Sequence, residues 1–154
     1  MAEPKWLDDE EMAAWTAFLE ASHRVFRSVE QQLKEDAGLS HPQYEILVKL
    51  AAVGGAGLRM TELAESLITS KSGLTYQIGR LERRGLVTRS PAPADTRGVT
   101  ARITEAGDLA LREAAPGHVE RVREVLIDGL DRHQLSVLAE ALGQVGSRLR
   151  EQGV

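Results

Sequence analysis

The chain has 154 residues, of which 42% are hydrophobic, 27% charged and only 4% aromatic, a composition typical of a soluble helical protein. It contains no cysteine, which excludes disulfide frameworks, thiolate zinc sites and thiol redox switches. No run approaches the ~18 apolar residues that a membrane span needs. The acidic start, MAEPKWLDDEEM, lacks the basic and apolar regions of a signal peptide, so we expect a cytoplasmic protein.

The formal net charge is −4, and the charged residues are distributed unevenly along the chain. Residues 58–103 hold 8 basic and 4 acidic side chains, whereas residues 1–57 hold 5 and 10, and residues 104–154 hold 6 and 9. A basic middle between acidic ends indicates a face for nucleic acid, although such asymmetry also arises by chance in ordinary proteins.

The first part of the chain has the pattern of two helices. Apolar residues recur at steps of three and four from about Asp8 to Asp36, which predicts one long amphipathic helix. Gly38 ends it. Ser40 and Gln43 have the spacing of a capping box and predict the start of a second helix, which extends to the loop Gly54–Gly57.

Two further helices and a hairpin follow. Met60–Leu67 predicts a short helix, and after a tight turn Ser70 can cap a helix that runs from Lys71 to about Arg84. Leu86–Arg89 and Val99–Ile103 then predict two short strands, joined by a Pro-rich loop. This order of elements predicts a mainly α fold with a small β-hairpin wing, that is, a winged helix-turn-helix.

The C-terminal part predicts long helices. Thr104 can cap the first of them, and we expect Pro116 and Gly117 to kink or break it. The last helix begins at about Asp131 and carries apolar residues in a 3-4-3-4 pattern.

The helix that starts at Lys71 predicts a DNA-binding surface. Its core stripe is Leu74, Ile78 and Leu81, while its opposite face carries hydroxyl groups near the N-terminus and arginines further on. Short polar groups can reach base edges, and arginines hold phosphate or guanine. We therefore predict contacts to double-stranded DNA from Lys71, Ser72, Thr75, Tyr76, Arg80, Arg83 and Arg89. In isolation, an ordinary solvated helix face explains the same pattern.

The hairpin tip supplies two more candidates. We predict that Arg97 enters the minor groove and that Asp95 lies close enough to pair with it and fix its direction. The alternative is a surface turn in which both charges are simply solvated.

The stretch MTELAESLITSKSGLTYQIGRLERRGLVTRSPAPADTRGVTARITEAG resembles the winged helix-turn-helix core of the MarR family of bacterial transcriptional regulators. The shared features are L-E-x-x-G-L-V leading into the wing, D-x-R at its tip and I-T-x-x-G opening the next helix. The resemblance implies a homodimeric regulator, expected to be a repressor on a pseudo-palindromic operator. It also implies release by a small effector, for which phenolic or aromatic acids are the family expectation.

Two residues depart from the family pattern. Arg59 stands where a hydroxyl cap is usual, which predicts a loose start of the short helix. Tyr76 occupies a position that is often basic in this family, so the operator sequence is not predicted.

The resemblance places the dimer interface on the first and last helices, and the apolar pattern agrees. Two long terminal helices around a small central lobe leave too little core to cover both apolar faces. The predicted interface residues are Trp15, Phe18, Leu126, Leu130, Leu135, Leu138, Leu142, Val145 and Leu149. We divide the chain into an N-terminal dimerisation helix (1–36), a DNA-binding lobe (37–103) and C-terminal dimerisation helices (104–154). Together they form one intertwined domain.

Aromatic and histidine side chains are the effector candidates: Trp15, His23, His41 and Tyr44. For Trp15 the alternative is an anchor in the dimer interface. No i,i+4 pair occurs among the histidines, so we expect no metal and no cofactor, and we expect His118 at the surface.

No motif of a phosphate loop, nucleophile elbow or zinc protease occurs, so we do not expect an enzyme. The alternative function is a helical winged-helix module that binds another protein without specific DNA binding.

Overall fold

The computed structural model describes residues 1, 3–67, 69–92 and 95–154, with residues 95–97 described by their backbone alone. Six α-helices and three strands, with a 3₁₀ turn at Gly54–Ala56 and a π-helical turn at Arg123–Ile127, make up this part of the chain. The helices are α1 (Asp9–Ala37), α2 (His41–Val53), α3 (Met60–Leu67), α4 (Lys71–Arg83), α5 (Glu105–Val122) and α6 (Arg132–Glu151). The strands are β1 (Leu58–Arg59), β2 (Val87–Ala92) and β3 (Asp95–Ile103). The mainly helical fold with a small wing is confirmed.

The end of α1 and the starts of α2 and α4 lie where the sequence predicts them, because local interactions fix them. Gly38 ends α1 in the left-handed region, with φ of 63°. The Ser40 hydroxyl accepts from the Gln43 N–H at 3.2 Å, and the Gln43 side chain accepts from the Ser40 N–H at 3.1 Å, so the capping box is formed. The Ser70 hydroxyl accepts from the Gly73 N–H at 3.0 Å and caps α4.

The strands form one antiparallel sheet in the order β1-β3-β2, with Arg59 opposite Thr100 and Val87 opposite Ile103. The sequence prediction of two short strands was incomplete. Strand β1 has two residues, too few for an alternation to show, and β2 continues through Pro91, which the sequence assigned to the loop. Proline is tolerated there because β2 is an edge strand.

The helix α5 corrects the expectation of a break at Pro116, because it continues from Glu105 to Val122. Gly117 serves close packing instead. A Cβ on this glycine would come within 3.2 Å of both Asp36 and Gln32. The regular α-helix ends later, where residues Arg123–Ile127 form a π-helical turn.

The chain divides into two compact units, one of residues Val29–Val119 and one of Met1–Ser28 with Glu120–Val154. The first holds the core, and its largest fully buried side chains are Leu33, Leu39, Ile46, Leu47, Leu50, Leu63, Leu74, Ile78, Leu81 and Val87. In the second, none of the described residues is buried. None of the helices in the described ranges is long and apolar enough to cross a bilayer.

Candidate nucleic-acid interface

The helix α4 presents one apolar and one polar face, as its sequence predicts. Leu74, Ile78 and Leu81 are at most 1% exposed and fix the helix on the core of its unit. The opposite side is solvated. It carries the exposed residues Lys71, Ser72, Thr75, Tyr76, Arg80 and Arg83. Six of the predicted DNA-contact residues therefore lie on the accessible side of one rigid helix.

Internal contacts orient two of these side chains. The Thr75 hydroxyl donates to the Lys71 carbonyl oxygen at 2.8 Å, which leaves its oxygen as an acceptor toward solvent. The Arg80 guanidinium donates to the Tyr76 hydroxyl at 3.2 Å and lies 5.8 Å from the centre of the Tyr76 ring. Tyr76, the departure from the family pattern, thus positions the arginine one turn further on.

Two adjacent arginines at the end of α4 have different surroundings. Arg84 donates to the carbonyl oxygens of Gly38 at 2.8 Å and Ala37 at 3.3 Å, so it caps the C-terminal end of α1. Both arginines are exposed, but Arg83 lies one residue earlier and is not part of this cap. The sequence prediction included Arg83 and omitted Arg84, although a basic run alone does not distinguish the two.

Arg89 lies on β2 and forms an ion pair with Glu82 of α4. This pair ties the edge strand to the helix and holds the Arg89 side chain, which is 33% exposed. The wing candidates Asp95 and Arg97 lie in β3, but their side chains fall outside the described residues.

A cleft of about 340 Å³ lies between the N-terminal ends of α3 and α4 and the sheet. Lys71, Thr75 and Arg89 line it, and so does Arg59, which is not among the contact residues predicted from the sequence. From the sequence, Arg59 is considered only as a departure from the usual helix cap. Its place among the eight basic residues of the middle segment is the signal that could have found it.

The start of α3 is also better defined than expected. The Arg59 N–H donates to Glu62 Oε2 at 3.2 Å, and Arg59 pairs with Thr100 through the sheet. The Glu62 carboxylate therefore supplies one half of a capping box, the bond to the main-chain N–H of the residue before the helix, while Arg59 has no hydroxyl for the other half.

The effector candidates fall into two groups, one in each unit. Trp15 is 50% exposed and stacks on Phe18 with ring centroids 6.2 Å apart, and His23 is exposed in the same unit. His41 and Tyr44 lie in the other unit, where Tyr44 is buried.

His118 joins His41 and Tyr44, contrary to the expectation of a surface residue. Its ring lies 4.3 Å from that of Tyr44 and 6.0 Å from that of His41, and its Nδ1 is buried with no hydrogen-bond partner among the described residues. Burial, with a smaller contribution from the neighbouring His41, lowers the pKa of the His118 imidazole. Burial also raises the pKa of the Tyr44 hydroxyl. The described residues contain no group of three His, Asp or Glu side chains that could hold a metal ion.

The predicted interface residues carry apolar surface that the single chain does not bury. Helix α6 contains no buried residue, and Leu142, Val145 and Leu149 are 43%, 53% and 41% exposed. Phe18 is 48% exposed. Leu126, Leu130, Leu135 and Leu138 are half-buried.

A family model and the solved structures of similar proteins point to the same family. The family model of the MarR family matches residues 39–99. The chain is 38% identical to AbsC, a MarR family transcriptional regulator from Streptomyces coelicolor; the two structures share a TM-score of 0.91 over 96% of this chain and 99% of that one. It is 40% identical to Sco3205 from the same organism, solved in complex with DNA, with a TM-score of 0.92 over 96% of this chain and 92% of that one.

A curated relative agrees. The HTH-type transcriptional regulator MhqR from Bacillus subtilis is 25% identical over 131 residues, which cover 83% of this chain and 88% of that protein. The chain belongs to the MarR family of winged helix-turn-helix DNA-binding transcriptional regulators.

Proposed function

We propose that this chain acts in the cytoplasm as a homodimeric repressor that binds a pseudo-palindromic operator, with α4 in the major groove and the wing in the adjacent minor groove. The observation that carries the proposal is the exposed polar face of α4, which has hydroxyl groups at its N-terminal end and arginines at its C-terminal end. A two-fold dimer presents two such helices to half-sites about one helical turn apart.

The side chains of α4 differ in length and charge, and they therefore suit different parts of the DNA. Ser72, Thr75 and Tyr76 carry short or rigid polar groups near the helix N-terminus, which suit base edges. Lys71, in the first turn, adds its charge to the positive end of the helix dipole and suits a phosphate. Arg80 and Arg83 suit phosphate or guanine, and Arg97 with Asp95 is proposed for the minor groove.

The apolar surface that the single chain leaves unburied supports the homodimer. None of the described residues in Met1–Ser28 and Glu120–Val154 is buried, yet this unit carries the aromatic pair Trp15–Phe18 and the apolar pattern of α6. Helices with one apolar face gain most of their stability by packing that face. A second copy of the chain supplies the matching surface in a symmetric dimer. We keep residues 1–36, 37–103 and 104–154 as the proposed functional parts.

We infer that a phenolic or aromatic acid is the effector class. The candidates offer ring faces and imidazoles, with Trp15 and His23 in one unit and His41 and Tyr44 in the other. An aromatic ring can stack on these faces, and an acid group can accept hydrogen bonds from an imidazole N–H.

The test is a fluorescence-anisotropy titration of the purified protein against duplex from its own promoter region and against an unrelated duplex, at two salt concentrations. Nanomolar, salt-dependent preference for the promoter supports the regulator. Equal and weak binding to both duplexes favours the alternative, a winged-helix module whose partner is a protein. In that case Arg80→Ala and Arg83→Ala leave partner binding unchanged.

A further inference from the structure

Three cations from separate elements line one cleft in the unit Val29–Val119. Arg59 comes from β1, Lys71 from the first turn of α4 and Arg89 from β2. The cleft has a volume of about 340 Å³, and none of the described residues that line it is acidic. Glu82, on α4, forms an ion pair with Arg89. Glu62 accepts from the main-chain N–H of Arg59 and caps α3.

The cleft lies between the two elements proposed to enter DNA. Lys71 and Thr75 form the α4 side, and Gly98 and Val99, at the base of the wing, form the other side. In a duplex, neighbouring major and minor grooves are separated by one sugar-phosphate strand. A protein with a helix in one groove and a wing in the next must therefore have that strand between them, which places phosphates over the cleft.

We propose that Arg59 is a DNA-phosphate contact and completes, with Lys71 and Arg89, a clamp on the backbone strand that separates the two grooves. The inference rests on the proposed function and extends it to a residue outside both α4 and the wing. Arg59 is exposed, while its main chain is fixed by pairing with Thr100 and by the bond to Glu62. The side chain therefore starts from a fixed main chain, and the fork of a guanidinium suits phosphate oxygens.

The expected effect follows from counterion release. Each phosphate contact on duplex DNA contributes about 0.9 to the slope of log affinity against log salt, and a dimer that carries Arg59→Gln loses two contacts. The slope should become shallower by about 1.8. If the variants converge at 1 M salt, the affinity at 0.1 M falls about 60-fold. The loss should be equal on promoter and unrelated duplex, because a phosphate contact carries no sequence information.

The experiment measures affinity over a salt series for the wild-type protein, Arg59→Gln, Arg59→Lys and the control Lys49→Gln. Lys49 is an exposed cation of the same unit that does not line the cleft. Arg59→Lys should keep the slope that Arg59→Gln loses, a charge-specific pattern that a folding defect cannot produce. Phosphate-ethylation interference then locates the contact: one ethylated phosphate per half-site should inhibit the wild-type protein but not Arg59→Gln.

The outcomes separate the two proposals. Wild-type binding to DNA, with Arg59→Gln indistinguishable from Lys49→Gln, overturns the clamp and leaves the regulator standing. Absence of salt-dependent DNA binding by the wild-type protein overturns both. A loss confined to the promoter duplex also contradicts the inference, because it would make Arg59 a base contact.

Discussion

Gly79 lies three residues after Tyr76 and four before Arg83, on the face of α4 that is proposed to meet DNA. A glycine inside a helix costs about 1 kcal/mol relative to alanine. A Cβ at Gly79 would meet only the end of the Arg83 side chain, at 3.9 Å, so the unbound chain has room for it. Gly79→Ala should therefore separate the stability of the protein from its affinity for DNA.

The two effects have opposite signs. Removal of the glycine should raise the free energy of unfolding by about 1 kcal/mol and the Tm by about 2–4 °C for a protein of this size. If the DNA surface closes tightly on Gly79, the added methyl overpacks that contact at a cost of about 1–3 kcal/mol. The affinity for each half-site should then fall about 5- to 160-fold.

Thermal unfolding and anisotropy titration measure the two quantities on the same preparations. Gly143→Ala is the matched control, because Gly143 also lies within a helix and a Cβ there meets nothing within 4 Å. The control should gain stability and keep its DNA affinity. An unchanged affinity of Gly79→Ala would show that this part of α4 does not approach DNA, and a lowered Tm would refute the stability argument.

Three other predictions follow from particular contacts. Arg84→Ala removes the cap on the C-terminal carbonyls of α1 and should lower the free energy of unfolding by about 1 kcal/mol, whereas Arg83→Ala should leave the Tm unchanged and weaken DNA binding. Thermal unfolding and DNA titration measure the two effects, and the reverse pattern would contradict this division. In light scattering, Leu142→Asp should shift the protein to monomers, whereas Ser147→Asp, on the opposite side of α6, should stay dimeric. A dimeric Leu142→Asp variant would exclude α6 from the interface. The pKa of His118 is lowered in the folded state, so the unfolded chain binds the proton first, and the free energy of unfolding should fall as the pH drops below about 6.5. His118→Gln should reduce this loss of stability. A pH dependence of stability that is unchanged in His118→Gln but altered in His133→Gln would refute the assignment.

The helices were predictable because short-range signals determine them. Ser40 with Gln43, and Ser70, cap the helices that follow, and these bonds involve residues three apart in the chain. Periodic apolar residues likewise gave the buried and exposed faces of α4. Such signals depend on neighbours in sequence and need no knowledge of the fold.

The missed features depend on what lies across the fold. The two residues of β1 become a strand only because Leu58 meets Ala101 of β3, more than forty positions away. Arg84 looks like any exposed arginine until Ala37 and Gly38 are placed beside it. Pro116 does not end α5, because the helix is anchored on both sides of it by buried Ala114 and by His118 against Tyr44. Long-range packing overrides local preference at each of these positions.

The pairing of Asp95 with Arg97 at the wing tip is a prediction from the sequence pattern and stays one. Arg59 shows the opposite case. The structure places it with Lys71 and Arg89 in one cleft, whereas the sequence offered only a charge near a helix start.

Hydroxyl-radical footprinting of the protein on its own promoter region tests the central claim most directly. A two-fold dimer with α4 in the major groove and the wing beside it should protect two symmetric half-sites, centred about 10 base pairs apart on one face of the duplex. A single unpaired protected site, or no protection at protein concentrations where the dimer is formed, would contradict the account.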